Sequence, residues 1–598
     1  MKKRGLKILS FALAALLLLP ILTGCTGGDT PAKGGVEKFS WWLYQGEDSS
    51  YYPNYGENPG IKYMLTKAYG PENKQLDLEF MQPVTGSEQD NFNTLLSTGE
   101  YADIMAMSAY TGSVVDLYEQ GIVLDLTEYV DKYMPNYKSF MEANPSLKMY
   151  AVNIVNGERK YLQLWGLGDE AADTWCGYQY RRDWIIKYGV NPHDGSAFSG
   201  SYTETLSDGS VDTTSWVDNV IFPSGGSDPV YISDWEWMLE IFARAIEDLG
   251  IKDGYPMSIA YTGMENMGGL ASSFGGGNIS WYKNADDQIA FGGTSEEFRA
   301  YTQCLNTWFE NGWIDKAFAE HSADMPYRID DAKVRSGKVG LWVGIQAQLI
   351  GKLDDGEDLR AGMVSFAART PINDKYGTEA QQGKEPYAMY QIARMNSSIT
   401  ITNKAKEKDL ATLFSFLDSL YGGENSLVCS LGLNKAQYEA TKDDFYTRHG
   451  LTEGAYTTTE SENDETYLLV EAVRFDTGNL INACRALRLN TFMYPNSKIP
   501  LQGSPTWLHN LDEWVAFEST GFLQPTFTSM LSPDDSKVYS KTNTQVNEFM
   551  AKNLPQFIRG EKDPYDDAAW NAFTNALGKY RPEKVTEIFQ TLLSTLME

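Results

Sequence analysis

The chain has 598 residues, 42% of them hydrophobic, and carries a formal net charge of −30. Single hydrophobic cores stop growing at about 250–300 residues, so more than one core-forming unit is expected. The acidity argues against nucleic acid or an anionic membrane surface as a partner.

At the N-terminus, Lys2, Lys3, Arg4 and Lys7 precede an apolar run from Ile8 to Leu22, followed by Thr23-Gly24-Cys25. The run is too short to span a bilayer and reads as an export signal. Phe39 to Tyr44 reads as a strand, and Gln45 to Asn58 as a polar, aromatic loop. Leu76 to Met81 alternates as a strand does, and Gly86 to Thr98 puts Phe92, Leu95 and Leu96 on one helix face. Ile104 to Met107 is a short strand. A polar loop, Ser108 to Gly112, leads from it into a helix carrying Val114, Val115 and Tyr118, with a stop at Gly121. Strand–helix alternation of this kind predicts an α/β fold.

Arg159 to Trp165 is the next strand. Gly166-Leu-Gly-Asp-Glu-Ala171 matches a dinucleotide-binding fingerprint, but no helical apolar pattern follows it, so that reading is rejected. Residues 191–230 are rich in Gly, Ser, Asp and Thr and predict hairpins with turns at Asp208-Gly209 and Gly225-Gly226. Asp208-x-Ser-x-Asp212 lacks the ligand count and terminal Glu of a calcium loop. Ser233-x-x-Glu236 and Thr294-x-x-Glu297 predict capped helices, and Lys406 to Tyr421 a third. Thr457 to Glu465 reads as an exposed acidic loop. Two helices are predicted at the end of the chain, one from Asp563-Pro-Tyr-Asp566 and one from Pro582.

Several of these pieces resemble known families. Leu22-Thr-Gly-Cys25 resembles the lipobox of bacterial lipoproteins. It implies cleavage of residues 1–24, a lipid on Cys25, a tether over 25–36, and an anchor on the outer face of the bacterial cytoplasmic membrane. Tyr101-Ala-Asp-Ile104 with its loop, helix, Gly121 and Asp125-Leu-Thr-x-Tyr129 comes first among the remaining pieces. Arg182-Asp-Trp-Ile-Ile-Lys-Tyr-Gly189, Ser336-Gly-Lys-Val-Gly-Leu341, Ile399-Thr-Ile-Thr-Asn-Lys404 and Phe557-Ile-Arg-Gly560 with Trp570 follow in that order. Together they resemble the bacterial extracellular solute-binding proteins of family 1, the carbohydrate-binding components of ABC importers.

That resemblance implies a two-lobed, periplasmic-binding-protein-like type II fold with a multi-strand hinge. Lobe one would hold 37–164 with about 390–425, and lobe two 165–389 with about 426–598. Crossings are expected near 160–166 and 385–396, with a further one unplaced. It implies a monomeric, non-catalytic receptor that closes on an oligosaccharide and hands it to the permease subunits of an ABC transporter. A binding protein for a peptide or other non-sugar solute stays open, as does a surface-anchored polysaccharide-degrading enzyme.

Sugars present hydroxyls around a ring and an apolar C–H face, so a site for them needs aromatic platforms and planar hydrogen-bonding groups. On that basis the candidate ligand residues are Trp42, Glu47, Asp48, Met107, Ser108, Tyr110, Trp165, Trp175, Tyr178, Trp281, Trp342, Gln346 and Trp507. Asp103 reads as structural, and Trp235, Trp308 and Trp570 as core. No G-x-S-x-G, H-E-x-x-H or P-loop motif occurs, and the four histidines are scattered. No cofactor, catalytic residue or metal is expected. Cys176, Cys304, Cys429 and Cys484 form no CxxC pattern and leave disulfide pairing open.

Overall fold

The computed structural model describes residues 34–597 except 44–50, 168–175, 202–203, 206–210, 213–216, 260–268, 276–279, 322–328, 330, 346–349, 353–357, 361–364, 388–394, 462–463, 475–479, 487–506, 518–520, 522 and 524–525. The first sheet begins with β1 (Val36–Trp42), β2 (Ala68–Tyr69), β3 (Lys74–Met81), β4 (Ile104–Ala106) and β5 (Leu164–Leu167). In β3, Leu76, Leu78 and Phe80 turn inward while Asp77 and Glu79 face water, the period-two pattern of a half-buried strand. β1 lies parallel to both β3 and β4. Parallel strands need a crossover, and α1 (Glu88–Thr98) supplies the one between β3 and β4, on either side of β1. It stops at Gly99, whose φ of 73° suits a residue without a Cβ. After β4, α2 (Val114–Glu119) buries Val114, Val115 and Leu117.

The second sheet holds β6 (Cys176–Arg181), β7 (Tyr255–Met257), β8 (Val339–Ile345) and β9 (Ser365–Ala368), in the order β7-β8-β6-β9. Helices α3 (Ile232–Asp248) and α4 (Glu296–Glu310) fill its core, where Trp235 stacks on Trp308. The caps sit slightly off the predicted positions. Asp234, not Glu236, receives the Val230 and Tyr231 amides, and Ser295, not Thr294, caps α4. Glu236 instead accepts the Trp308 indole N–H inside the core. The chain then returns as β10 (Met395–Ile401), which completes the first sheet in the order β2-β3-β1-β4-β10-β5. Asp103 accepts the Ser40 amide, the Ser40 hydroxyl and Lys408 Nζ at 2.7–2.8 Å, tying β1 and β4 to the segment after β10.

Beyond β10 come α5 (Leu410–Ser419), α6 (Trp507–Trp514), α7 (Pro533–Ile558), α8 (Asp567–Gly578) and α9 (Pro582–Met597). Two large hydrophobic cores divide the molecule into two lobes, and they correct the expected allotment of this C-terminal half. Val428, Tyr446, Leu480, Ala486, Phe527 and Leu531 belong to the first core, as do Val585, Phe589 and Leu593 of α9. Val546 to Ile558 of α7, together with α8, join the second core, and α6 packs on the second sheet. An amphipathic face states that a helix is buried but not which core covers it. The predicted acidic loop at 457–465 is instead part of a hairpin, Tyr456–Ser461 with Asp464–Leu469, whose Thr-rich arm suits an exposed strand. Within the stretch expected to form hairpins, Gly200–Ser201 pairs antiparallel with Val217–Asp218 and Glu204–Thr205 with Val211–Asp212, while the Asp208-Gly209 turn lies outside the described residues. Cys304, Cys429 and Cys484 are all buried. Among the described residues, no helix is long and apolar enough to cross a membrane.

Candidate ligand-binding cleft

Strand direction locates the cleft. β1, β3 and β4 run parallel, so the loops after Trp42, Met81 and Ala106 leave one edge of the first sheet. β10 is antiparallel to β4 and β5, so β5 leaves for the second lobe, and β10 arrives from it, at that same edge. In the second sheet, Cys176 starts β6 opposite Ile345 at the end of β8, and β7 runs parallel to β8. The carboxyl ends of β7 and β8 therefore share an edge with the incoming chain. The chain therefore crosses between the lobes from the carboxyl edge of one sheet to that of the other, and α/β sheets bind ligands at the carboxyl ends of their strands.

The hinge at this edge is a row of bonded backbone. Met107 N donates to Ser398 O at 2.7 Å, and Ser398 lies opposite Trp165, beside a register shift at Asn396–Ser398. The Ser398 hydroxyl donates to Gln163 Oε1 at 2.6 Å, and the Tyr421 hydroxyl to Trp165 O at 2.8 Å. The candidates Met107 and Trp165 thus flank Ser398 from opposite sides of β10, both nearly buried. The Tyr110 amide closes a turn onto Met107 O, which leaves Ser108 exposed at the tip. Tyr110 stacks one ring face on Phe92, with centroids 5.3 Å apart and planes 29° apart, and stays half-buried. That burial, together with the nearby Asp116 carboxylate, raises its phenol pKa.

Trp42 also meets Phe92, edge-on, and donates its indole N–H to Asn91 Oδ1 at 2.8 Å. Only 1% of Trp42 is exposed, so it supports the cluster from below and offers no free face. Phe92 and Asn91 are the partners that the sequence reading overlooked. Their only signal was position, on the first turns of the helix after β3. Three further candidates turn out to be packing residues. Tyr178 sits edge-on against Trp235 in the second core, and Trp342 is fully buried mid-strand. Trp281 packs against Phe291, Tyr539 and Phe589 and donates to Pro582 O. Burial in the core satisfies a large apolar ring without any ligand. Glu47, Asp48, Trp175 and Gln346 lie outside the described residues, as does Cys25. Trp507 opens α6, with its side chain outside the description.

Solved structures match this architecture along nearly the whole chain. An extracellular solute-binding protein from Bifidobacterium longum subsp. infantis superposes with a TM-score of 0.64 at 14% identity, covering 94% of this chain and 99% of that one. The fold is that of the extracellular solute-binding proteins. An HMO-binding, ABC-transporter-associated solute-binding protein from Bifidobacterium longum infantis gives a TM-score of 0.62 at 14% identity, over 94% and 98% of the two chains. The S. pneumoniae ABC-transporter substrate-binding protein FusA, in complex with kestose, gives 0.60 at 15% identity, over 94% and 99%. No protein-family model matches the chain, and no curated protein matches its sequence.

Proposed function

We propose that this protein is an extracellular receptor that captures an oligosaccharide between its two lobes and delivers it to an ABC transporter permease. The observation that carries this reading is strand direction: the chain crosses between the lobes at the carboxyl edge of each sheet, and the Tyr110 loop leaves the first of these edges. A ligand held between these edges would contact both lobes and so bind the closed form more tightly than the open one. Solved proteins of the same fold and length include oligosaccharide binders. In this reading Cys25 carries a lipid anchor, no covalent chemistry occurs, and the ligand residues are Met107, Ser108, Tyr110 and Trp165, with Glu47, Asp48, Trp175, Gln346 and Trp507 around them.

The test is a titration of residues 26–598 with panels of oligosaccharides and peptides, followed by indole fluorescence and melting temperature. A saturable shift with one sugar class, the sugar being recovered intact, is expected. Recovery of shortened sugar would sink the receptor reading, and a response to peptides alone would sink the sugar. For the ligand so found, Tyr110→Ala is expected to weaken binding about ten- to fiftyfold, the range for losing an aromatic anchor. Tyr110→Phe should keep most of the affinity because the ring face remains. Equal affinity for the wild type and Tyr110→Ala in calorimetry would remove Tyr110 from the site.

A further inference from the structure

Helix α6 makes an excursion between lobes. The last described residues before it, Leu480 to Ala486, lie in the first core, where Asn58 donates to Ala483 O and Arg485 O. Just after it, Leu523 and Phe527 are back against the first core. Between these points α6 rests on the second sheet, along β9 and the start of β6. The Ala367 amide donates to Asn510 Oδ1 at 2.8 Å, and the Trp514 indole donates to Tyr178 O at 2.9 Å. The Trp514 ring fills the space over Gly177, where a Cβ would come within 2.5 Å of it.

The remaining contacts of α6 are charged. Arg369 Nε and Nη2 grip both oxygens of Glu513, at 2.8 and 2.5 Å. His509 Nε2 lies 2.9 Å from Asp228 Oδ1. Asp228 also receives the Ser227 hydroxyl and sits 3.8 Å from Arg182, which is itself paired with Asp218. Asp228, His509 and Glu513 approach one another closely enough to suggest a metal triad. The two guanidinium groups argue otherwise, because Arg369 already occupies both Glu513 oxygens and Arg182 repels a cation. The cluster is therefore an ion-pair network with one imidazole, His509, whose side chain is partly open to solvent.

We propose that α6 is the foot of an interlobe strap, and that protonation of His509 latches this foot to the second lobe through Asp228. The groups facing His509 are Asp228 before α3, Arg182 after β6 and Arg369 after β9. On its own helix are Glu513 and the exposed Asp512, and the Phe366 ring of β9 lies 6.1 Å away. Hydrogen bonding to Asp228 raises the His509 pKa above 6.5 despite its partial burial and the opposing charge of Arg182. Burial would raise Asp228, but His509, Ser227 and Arg182 outweigh it and hold the carboxyl below 3.8. A raised histidine stabilises the docked foot fully below 6.5, and that contribution is lost as pH climbs through its raised value. A lowered carboxyl loses its contribution only as pH falls through its own low value. The latch is thus closed in mild acid and loosens toward alkaline pH.

The test needs no ligand. Hydrogen–deuterium exchange of the amides of 508–514, corrected for the intrinsic pH dependence of exchange, is compared at pH 5.5 and pH 8.5. Several-fold stronger protection is expected at pH 5.5, with the β3 amides as an unchanging reference. His509→Gln and, independently, Asp228→Asn should abolish the difference, while Arg369 and Glu513 keep the helix docked. In proton NMR, the four histidines give few enough signals for His509 to be assigned through that variant, and its signal should titrate above the ordinary value. Equal protection at the two pH values, or a pH effect that survives His509→Gln, would overturn the latch. Protection that appears only with added Zn²⁺ would also overturn it, in favour of a metal site.

Discussion

A chain ending at Arg581 is expected to lose its first lobe. Helix α9 lies last in sequence, yet Val585, Ile588, Phe589, Leu593 and Leu596 are all buried against the first core. Each such side chain contributes about 1.5–3 kcal/mol on burial, so five sum to roughly 7–15 kcal/mol, as large as the whole stability of an ordinary domain. The deletion also strips acceptors from Trp281, Ile289 and Arg159. The shortened protein should show rapid proteolysis within residues 36–167 and a lost low-temperature melting transition. The milder variant Phe589→Ala should cost about 3–5 kcal/mol, measured by denaturant unfolding. Wild-type melting and proteolysis in both variants would show that α9 is dispensable.

In the second lobe, Arg182→Met should be the most damaging single change. The Arg182 guanidinium is nearly buried and makes two bonds to Asp218, at 2.6 and 2.8 Å, and one each to the Tyr180 hydroxyl and Ser227 O at 2.7 Å. Its face lies over the Phe366 ring. Removing it strands a buried carboxylate, which costs about 3–5 kcal/mol. The double variant Arg182→Met with Asp218→Asn should recover much of that loss, since the amide still accepts from Val220 N and carries no charge. A single variant that loses under about 1 kcal/mol in urea unfolding would place this pair among ordinary surface bridges.

Local signals carried the strands and helices well. The alternation in β3, the Gly121 stop and the proline opening α9 are all statements about neighbours in sequence, and the backbone obeys them. Long-range allotment was another matter. Nothing in Val585-x-x-Ile588-Phe589 tells whether that stripe faces the first sheet or the second, and both cores accept the same residue types. The long α7 also went unread, because its apolar residues are sparse and Pro555 lies inside it. For the site, the loop after β4 was legible because its strand and helix bracket it. Trp281 and Trp342 were not, since an indole in a core and an indole under a sugar are the same residue with different neighbours. Only the fold distinguishes Tyr110, with one face on Phe92, from Trp42, enclosed a few ångströms away.

Helix α7 has a mechanical consequence. Its first turns follow Leu531 of the first core, Tyr539 still leans on Phe589 there, and from Val546 onward it is seated in the second core. Extended crossing strands can swivel about a few backbone torsions, whereas a continuous rod of 26 residues cannot. At 1.5 Å per residue it is about 39 Å long, and helices curve smoothly at radii of about 60–100 Å, which corresponds to about 20–40° of bend along its length. The rod therefore acts as a leaf spring beside the hinge. It limits how far the two lobes can swing and returns them toward one resting angle. The angle between the lobes is thus tied to the stiffness of a single helix rooted in both cores.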